Sequence, residues 1–277
     1  MCELLALSAN TPTDMRFSFH GLTRRGGATG DHADGWGLAS YDPDGQGVSL
    51  YREDAAAAFS PIAARVAALD LRAHCSIAHI RKATQGVVSL ENCHPFHRRW
   101  QGQEWIFAHN GDLKGAPGAD LKDGQTPRPG GDLEHDIPLR GDFQPEGDTD
   151  SERAFCWLLE RLEDSGLDPG DEAGLFTALT DAAGQLARLG TFNCLISNGR
   201  WLFAYATTQL HHLTRRSPFS QATLADDDLS VDFAELAGPT DVVTIVSTAP
   251  LTTNEPWQAF EPNSALLLRH GEICRQS

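Results

Sequence analysis

Short apolar runs separated by turn residues constrain the fold of this chain more than any other feature. Runs with the length and composition of strands occupy residues 3–8, 35–41, 48–52, 74–81, 105–109, 191–197, 201–207, 211–214, 242–248 and 265–270. Asp42-Pro43-Asp44-Gly45 and Asn198-Gly199 are strong hairpin turns between neighbouring runs. Many strands with few helices between them predict large antiparallel sheets.

Helical patterns are fewer and concentrate in the middle of the chain. Residues 55–69 have apolar side chains at helical spacing, although Pro61 predicts a break or a late start. A second helix follows Thr149-Asp150-Ser151-Glu152, which has the form of a capping box, and a third spans residues 171–189. The combination predicts an α+β fold in which helices cover layered sheets.

The charge and cysteine content exclude several classes of protein. The formal net charge of −16 disfavours binding to nucleic acids and to anionic membrane surfaces. We find neither an uncharged segment of bilayer length nor a secretory signal. Six cysteines without a C-x-x-C pair predict reduced thiols in a cytoplasmic protein. His94 and His97 lack nearby partners in a ligand pattern, so we expect neither a metal nor a cofactor.

One segment has no apolar periodicity. Residues 114–147 are rich in Gly, Pro and Asp, which is typical of a functional loop or a mobile insertion. The candidate site residues lie on both sides of it, so we expect one domain over residues 1–277 with a flexible insertion at 114–147. A lid or a docking surface is the alternative interpretation of this segment.

Cys2 directly follows the initiator methionine. Removal of Met1 would leave a cysteine with a free α-amine, whose ordinary pKa is about 8. One residue would then supply both a nucleophilic thiol and the base that accepts its proton. The position alone favours the alternative interpretation, an ordinary second residue.

Three further segments contain groups suited to the same chemistry. Arg81 ends a predicted strand, and its guanidinium is suited to binding a carboxylate. Asn110 and Gly111 follow another strand and have the donors of an oxyanion hole. Asp150 places a carboxylate at a helix start, where it can bind an ammonium group. The alternative interpretations are a surface arginine for Arg81, a hairpin turn for Asn110-Gly111 and a helix cap for the segment that contains Asp150.

Taken in order, these segments resemble the class II glutamine amidotransferases, whose glutaminase domain uses an N-terminal cysteine. The resemblance rests on Cys2, then R-x-A-T-x-G, H-N-G and D-[ST]-E, which begin here at Arg81, His109 and Asp150. It is closest to the short, stand-alone bacterial YafJ type and covers nearly the whole chain. Further shared segments are Met1-Cys2-Glu3-Leu4-Leu5, Asp34-Gly35-Trp36-Gly37, Glu91-Asn92-Cys93-His94-Pro95-Phe96, Phe155-Cys156-Trp157-Leu158-Leu159 and Asn254-Glu255-Pro256-Trp257.

The resemblance implies a four-layer αββα sandwich of the N-terminal-nucleophile hydrolase type and a role for each matched residue. Cys2 would form a γ-glutamyl thioester while its α-amine moves the proton. Asn110 and Gly111 would bind the oxyanion. The small substrate would be held by Arg81 and Thr84 at its α-carboxylate and by Asp150 at its α-ammonium, with His94 near the pocket.

The resemblance leaves three functions open. The chain shows neither a synthetase domain nor a Gly-rich phosphate loop, so glutamine-derived ammonia would pass to a separate partner enzyme. A free-standing hydrolase of another γ-glutamyl amide is the second interpretation. The third is a catalytically silent glutamine-binding regulatory module.

Overall fold

Two antiparallel sheets form the centre of the protein. A computed structural model describes residues 2–45, 47–84, 86–114 and 132–277. The strands within these ranges are β1 (Glu3–Thr13), β2 (Trp36–Tyr41), β3 (Val48–Glu53), β4 (Ala73–Ile80), β5 (Phe96–Trp100), β6 (Gln103–Leu113), β7 (Gly190–Ser197), β8 (Leu202–Ala206), β9 (His211–Arg216), β10 (Gln221–Thr223), β11 (Ser230–Asp232), β12 (Val242–Ser247), β13 (Gln258–Ala259), β14 (Ser264–Arg269) and β15 (Glu272–Gln276). The helices are α1 (Arg16–Arg25), α2 (Pro61–Ala67), α3 (Leu133–Asp136), α4 (Asp150–Ser165) and α5 (Glu172–Leu186).

The strand order places the chain start in the middle of one sheet. Sheet A runs β13-β9-β12-β1-β4-β2-β3, and sheet B runs β15-β14-β8-β7-β6-β5. In sheet A, Glu3 pairs with Ile80 of β4 and Leu5 pairs with Ser247 of β12. Cys2 therefore lies just before the first residue of the central strand β1, beside the end of β4.

The buried side chains form three layers of core. Between the sheets lie apolar residues of both, among them Leu4, Ala6, Ile77, Ala108, Leu195 and Val246. Helices α1 and α2 cover the other face of sheet A, and α4 and α5 cover the other face of sheet B. The predicted αββα sandwich is confirmed.

The region predicted as one helix over residues 55–69 is divided in two. A 3₁₀ turn at Ala57–Phe59 precedes α2, which begins at Pro61 after Ser60 caps it by accepting a hydrogen bond from the backbone N–H of Ala63 at 2.9 Å. Pro61 suits the first helical position because its missing N–H would have no partner there. The break predicted at Pro61 is thus the true start of the helix.

The Gly- and Pro-rich segment is only partly described. Residues 115–131 lie outside the described residues, so the flexible insertion stays a prediction for them. From residue 132 onward the chain packs against the sheet B core, where Ile137 is buried. The backbone N–H groups of Arg140 and Gly141 donate to the carboxylate of Glu160 on α4, at 3.0 and 2.7 Å. No helix within the described ranges is long and apolar enough to cross a membrane.

Candidate active site

A small pocket opens where β1 begins and β4 ends, and it contains nearly all of the site residues selected from the sequence. Its lining includes Cys2, Arg81, Lys82, Ala83, Thr84, His94, His109, Gly111, Thr149, Asp150 and Ser151. These residues come from both sheets and from the start of α4, although up to 149 positions separate them in sequence. Asn110 adjoins the same pocket through a hydrogen bond to Cys2.

The Cys2 thiol is half-buried and held by the backbone of one residue. Its Sγ atom lies 3.4 Å from the carbonyl oxygen of Lys82, to which the thiol donates, and 3.3 Å from the backbone nitrogen of Lys82, which donates to it. Burial raises the pKa of the Cys2 thiol, while the Lys82 hydrogen bond and the charge of Arg81 oppose that rise. The thiol is therefore protonated at rest and requires a base to become a nucleophile.

Asn110 and Gly111 lie inside β6 and not after it, so the expected strand end at His109 and the hairpin alternative are both wrong. The pairing with β7 continues past them, with Asn110 opposite Asn193 and Gly111 opposite Phe192. A Cβ atom at Gly111 would stand 1.8 Å from the carbonyl oxygen of Thr191, so only glycine allows this close strand approach.

The Asn110 side chain connects the two sheets at the chain start. Its Nδ2 atom donates to the backbone carbonyl of Cys2 and, at 3.2 Å, to Oγ1 of Thr248. Thr248 Oγ1 also accepts the Leu4 N–H at 2.9 Å. Asn193 in turn donates to the Asn110 carbonyl at 3.1 Å. The buried Oδ1 of Asn110 has no hydrogen-bond partner among the described residues.

Arg81 is buried and its loop is held by Asp34 and Gly35. The Arg81 N–H donates to the Gly35 carbonyl at 2.8 Å, and the Asp34 carboxylate accepts the N–H of Ala83, also at 2.8 Å. Gly35 has a φ of +138°, and a Cβ there would come within 2.6 Å of Cys93 Sγ. The segments that begin at Asp34, Arg81 and Glu91, all part of the family resemblance, therefore meet behind Arg81. Thr84 is exposed at the pocket.

Asp150 is the first residue of α4, and Thr149 caps the helix by accepting the Glu152 N–H at 3.3 Å. The predicted capping residue is confirmed. In a capping box the Glu152 carboxylate would accept the N–H of the capping residue, Thr149. Here it accepts the Gly147 N–H at 2.7 Å instead and pairs with Arg98. The Asp150 carboxylate accepts the N–H groups of Leu113 and Ser151, at 2.7 and 2.8 Å. Its orientation in the pocket is therefore fixed.

His109 links the H-N-G segment to the start of α4. Its Nε2 lies 3.1 Å from the Thr191 carbonyl, which can only accept, so Nε2 carries the proton. Nδ1, 2.8 Å from Ser151 Oγ, is then the acceptor. Burial lowers the pKa of His109, and the nearby Asp150 charge acts in the opposite direction. A neutral His109 thus joins the Asn110-Gly111 strand to the helix that bears Asp150.

His94 lines the pocket beside a second buried histidine. The ring centroids of His79 and His94 are 4.2 Å apart, and the Phe96 ring packs against His94 at 4.3 Å. None of their four ring nitrogens has a hydrogen-bond partner among the described residues. Burial lowers the pKa of His79 to about 3 and that of His94 well below its ordinary value. Both rings are therefore neutral, and His94 forms an uncharged wall of the pocket with His79 packed against it.

Sequence reasoning missed the residues that support the pocket, namely His79, Ser151, Thr191, Asn193 and Thr248. No spacing rule connects Asn110 to Thr248, which lies 138 positions away. His109 begins the H-N-G segment and Ser151 lies within the D-[ST]-E segment, and this position in the sequence was the one signal available for them. No group of three or more His, Cys, Asp or Glu side chains in the described ranges is arranged to hold a metal ion.

Comparisons with known proteins identify similar sequences. A family model described as "Glutamine amidotransferases class-II" matches residues 1–277. The putative glutamine amidotransferase YafJ of Escherichia coli K12 is 44% identical over 273 residues, which cover 98% of this chain and 99% of that protein. A putative glutamine amidotransferase of Haemophilus influenzae is 42% identical over 272 residues, covering 98% of this chain and 85% of that protein.

Solved structures agree with these matches. A predicted glutamine amidotransferase from Pseudomonas aeruginosa is 38% identical, with a TM-score of 0.72 and coverage of 99% of this chain and 100% of that one. Glutamine phosphoribosylpyrophosphate amidotransferase from Bacillus subtilis is 15% identical with a TM-score of 0.59, and the similarity covers 100% of this chain and 49% of that chain. At this identity the second likeness shows the fold alone.

Proposed function

Because the chain belongs to the class II glutamine amidotransferases, we propose that it hydrolyses the side-chain amide of glutamine through a thioester on Cys2. The observation that carries the proposal is the single pocket in which the Cys2 thiol lies with Arg81, Gly111 and Asp150, while Asn110 holds the Cys2 carbonyl. These groups would supply a nucleophile, two oxyanion donors, and one charge for each end of a zwitterionic amino acid.

Removal of Met1 creates the base in this mechanism. The α-amine of Cys2 takes the thiol proton, and the thiolate forms a bond to the amide carbon. The carbonyl electron pair moves to oxygen and returns when the C–N bond breaks. The leaving nitrogen takes the proton back from the α-ammonium and departs as ammonia. Water then attacks the thioester and releases glutamate, which restores the thiol.

Asn110 and Gly111 would stabilise the oxyanion. The Asn110 amide nitrogen lies at the nucleophile, where its two N–H groups donate to the Cys2 carbonyl and to Thr248 Oγ1, so one of them would turn from Thr248 to the developing oxyanion. The absence of a side chain at Gly111 keeps β6 close to β7 and lets its backbone line the pocket. Such preorganised donors are most effective where water is excluded.

The substrate's two charged groups would be bound by opposite charges at fixed positions. Arg81, buried beneath the pocket, would bind the α-carboxylate with the Thr84 hydroxyl at the edge. Asp150 would bind the α-ammonium through oxygens that are oriented by Leu113 and Ser151. His94, neutral and buried, would form an uncharged wall of the same pocket.

The fate of the ammonia, the identity of the substrate and the presence of turnover distinguish the candidate functions. Transfer to an unidentified partner enzyme is one outcome. Hydrolysis of another γ-glutamyl amide would use the same residues, since the chemistry at the γ-carbonyl is unchanged. A silent glutamine-binding module would retain the pocket without turnover. The clustering of Cys2, Asn110 and Gly111 favours an enzyme over a silent module, because binding alone requires no nucleophile.

A substrate panel with two cysteine variants tests the proposal. Release of ammonia or amine from glutamine and from several γ-glutamyl amides should be lost in Cys2→Ala. It should be retained in Cys274→Ala, which removes an exposed thiol elsewhere. The preferred substrate separates a glutaminase from a hydrolase of another amide. Cys2-independent release, or no release from any substrate, would contradict the proposal, and the second result would favour the silent module.

A further inference from the structure

Glu3, the residue after Cys2, faces away from the pocket. Side chains alternate across a strand, and the alternation of β1 is visible in the core, with Leu4 between the sheets and Leu5 under the helices α1 and α2. Glu3 therefore points toward α1, where its Oε2 lies 3.1 Å from Nη1 of Arg25, the last residue of that helix.

The Arg25 guanidinium connects four segments of the chain. Besides Glu3, it donates through Nε to Asp226 at 2.7 Å, through Nη1 to the carbonyl of Ala249 at 3.2 Å and through Nη2 to the carbonyl of Pro250 at 2.6 Å. Thr29 in turn donates to the second oxygen of Asp226 at 2.9 Å. The backbone at 249–250 directly follows Thr248, whose hydroxyl binds Asn110 and Leu4.

This cluster is sheltered from solvent. The side chains of Arg25, Glu3 and Asp226 are 10%, 13% and 18% exposed, respectively. Ion pairs with so little exposure are screened far less by salt than surface pairs. The planar guanidinium of Arg25 is fixed by its bonds to Asp226 and two carbonyls, which restricts the direction in which the Glu3 side chain leaves the strand.

We propose that Arg25 is a positioning residue that acts through Glu3 to hold the chain start, so that the Cys2 thiol stays against Lys82. The proposal rests on the proposed function, in which Cys2 becomes the first residue of the chain. Chain ends are poorly ordered unless they are tied down. The Arg25–Glu3 pair supplies that restraint from the helix side of sheet A, while Asn110 and Thr248 supply it from the pocket side.

Two variants and one control test the proposal. Glu3→Ala removes the link to the strand but leaves Arg25 its bonds to Asp226 and two carbonyls, so the variant is expected to fold. Arg25→Lys retains the charge but not the multidentate geometry. The control is Glu255→Ala, which breaks the ion pair with Arg215, whose side chains are 10% and 8% exposed. Arg215 lies on β9 opposite Val243 of β12, and Val243 lies opposite Ala9 of β1, six positions beyond Glu3. The control therefore disturbs the same sheet away from the chain start.

The expected result is a loss of turnover without a matching loss of substrate binding. In Glu3→Ala and Arg25→Lys, kcat should fall roughly 10- to 100-fold, the cost of misplacing a reacting group by about 1 Å. KM should change little, because Arg81 and Asp150 are untouched. A purely structural role would lower thermal stability in all three variants and would leave kcat unchanged at temperatures where they are folded.

Alkylation of Cys2 by iodoacetamide, measured by peptide mass spectrometry, gives a readout independent of turnover. We expect faster modification of Cys2 in both test variants than in wild type and in Glu255→Ala, because the thiol is released from Lys82. If wild type releases no ammonia or amine, the proposed function fails and alkylation alone decides this inference. Equal alkylation rates in Glu3→Ala, Glu255→Ala and wild type would overturn it, even if Arg25→Lys does not fold.

Discussion

The side-chain amide of Asn110 donates a hydrogen bond to the backbone carbonyl of Cys2, although 108 positions separate the two residues. This bond spans the two sheets and joins the proposed oxyanion donor to the residue that bears the proposed nucleophile. It makes Asn110 the most direct mutational test of the catalytic geometry.

We expect Asn110→Ala to lower kcat about 100- to 1000-fold with little change in KM, as loss of one oxyanion donor does in other acyl-transfer enzymes. The measurement is steady-state turnover of the preferred amide. The control is Asn198→Ala. Asn198 lies in the turn between β7 and β8, is also buried, and donates to the side chain of Gln103. Comparable losses in the two variants would contradict an oxyanion role for Asn110.

Gly111→Ala should unfold at lower denaturant concentration than wild type, and the variant should lose turnover. The new methyl group would meet the Thr191 carbonyl at 1.8 Å, and such overpacking costs about 1–3 kcal/mol in the free energy of unfolding. Gly184→Ala on α5 is the matched control, because nothing lies within 4 Å of its Cβ position. It should leave stability unchanged or raise it by up to about 1 kcal/mol. A fully stable and active Gly111→Ala would refute the close approach of β6 and β7.

Asp150→Asn should raise KM roughly 10- to 100-fold, the effect of losing a charge-assisted hydrogen bond of about 1.5–3 kcal/mol. The expected change in kcat is smaller, because the side chain would contact the ammonium and not the reacting carbon. Asp171→Asn, at the start of α5, is the control for effects on helix capping. A fall in kcat at constant KM would assign Asp150 a different role.

Acid should destabilise the protein through its buried histidines. The folded-state pKa of His79 is lowered to about 3 from an ordinary value of 6.5, and burial lowers those of His94 and His109 in the same direction. The unfolded chain therefore binds more protons than the folded chain below pH 6.5. Stability is present above that pH and declines as pH falls toward 3, by up to about 1.4 kcal/mol per pH unit for each such histidine.

Urea midpoints measured between pH 7 and pH 4 check this expectation. His79→Phe should flatten the decline, since it removes a group that takes up a proton only on unfolding. His135→Gln is the control for the loss of a histidine at an exposed position. An unchanged slope in His79→Phe would show that His79 does not contribute to the acid sensitivity.

The sequence was sufficient for the elements with strong local signals. The hairpin at Asp42-Pro43-Asp44-Gly45, the Thr149 cap and the turn at Asn198-Gly199 are present in the structure because each depends on residues close in sequence. Helix α1 escaped prediction because its pattern is interrupted by the small residues Ser18 and Gly21, both of which are buried. A Cβ at Gly21 would stand 2.8 Å from the Leu224 side chain, so tertiary packing decides this helix more than propensity does.

The site was predictable in its residues but not in its connections. Cys2, Arg81 and Asp150 could be selected because their chemistry and order are recognisable, and the structure places them in one pocket. The bond from Asn110 to Thr248 and the link from His109 to Ser151 depend on how two sheets and a helix pack. Such contacts leave no periodic trace in a single sequence, because their partners lie far apart along the chain.

Intact-protein mass spectrometry after mixing with the preferred amide and quenching with acid tests the central claim most directly. The account predicts a wild-type chain that begins at Cys2 and gains the mass of one γ-glutamyl group, which the Cys2→Ala variant does not gain. A chain that retains Met1 and still turns over the amide, or equal turnover by wild type and Cys2→Ala, would contradict it.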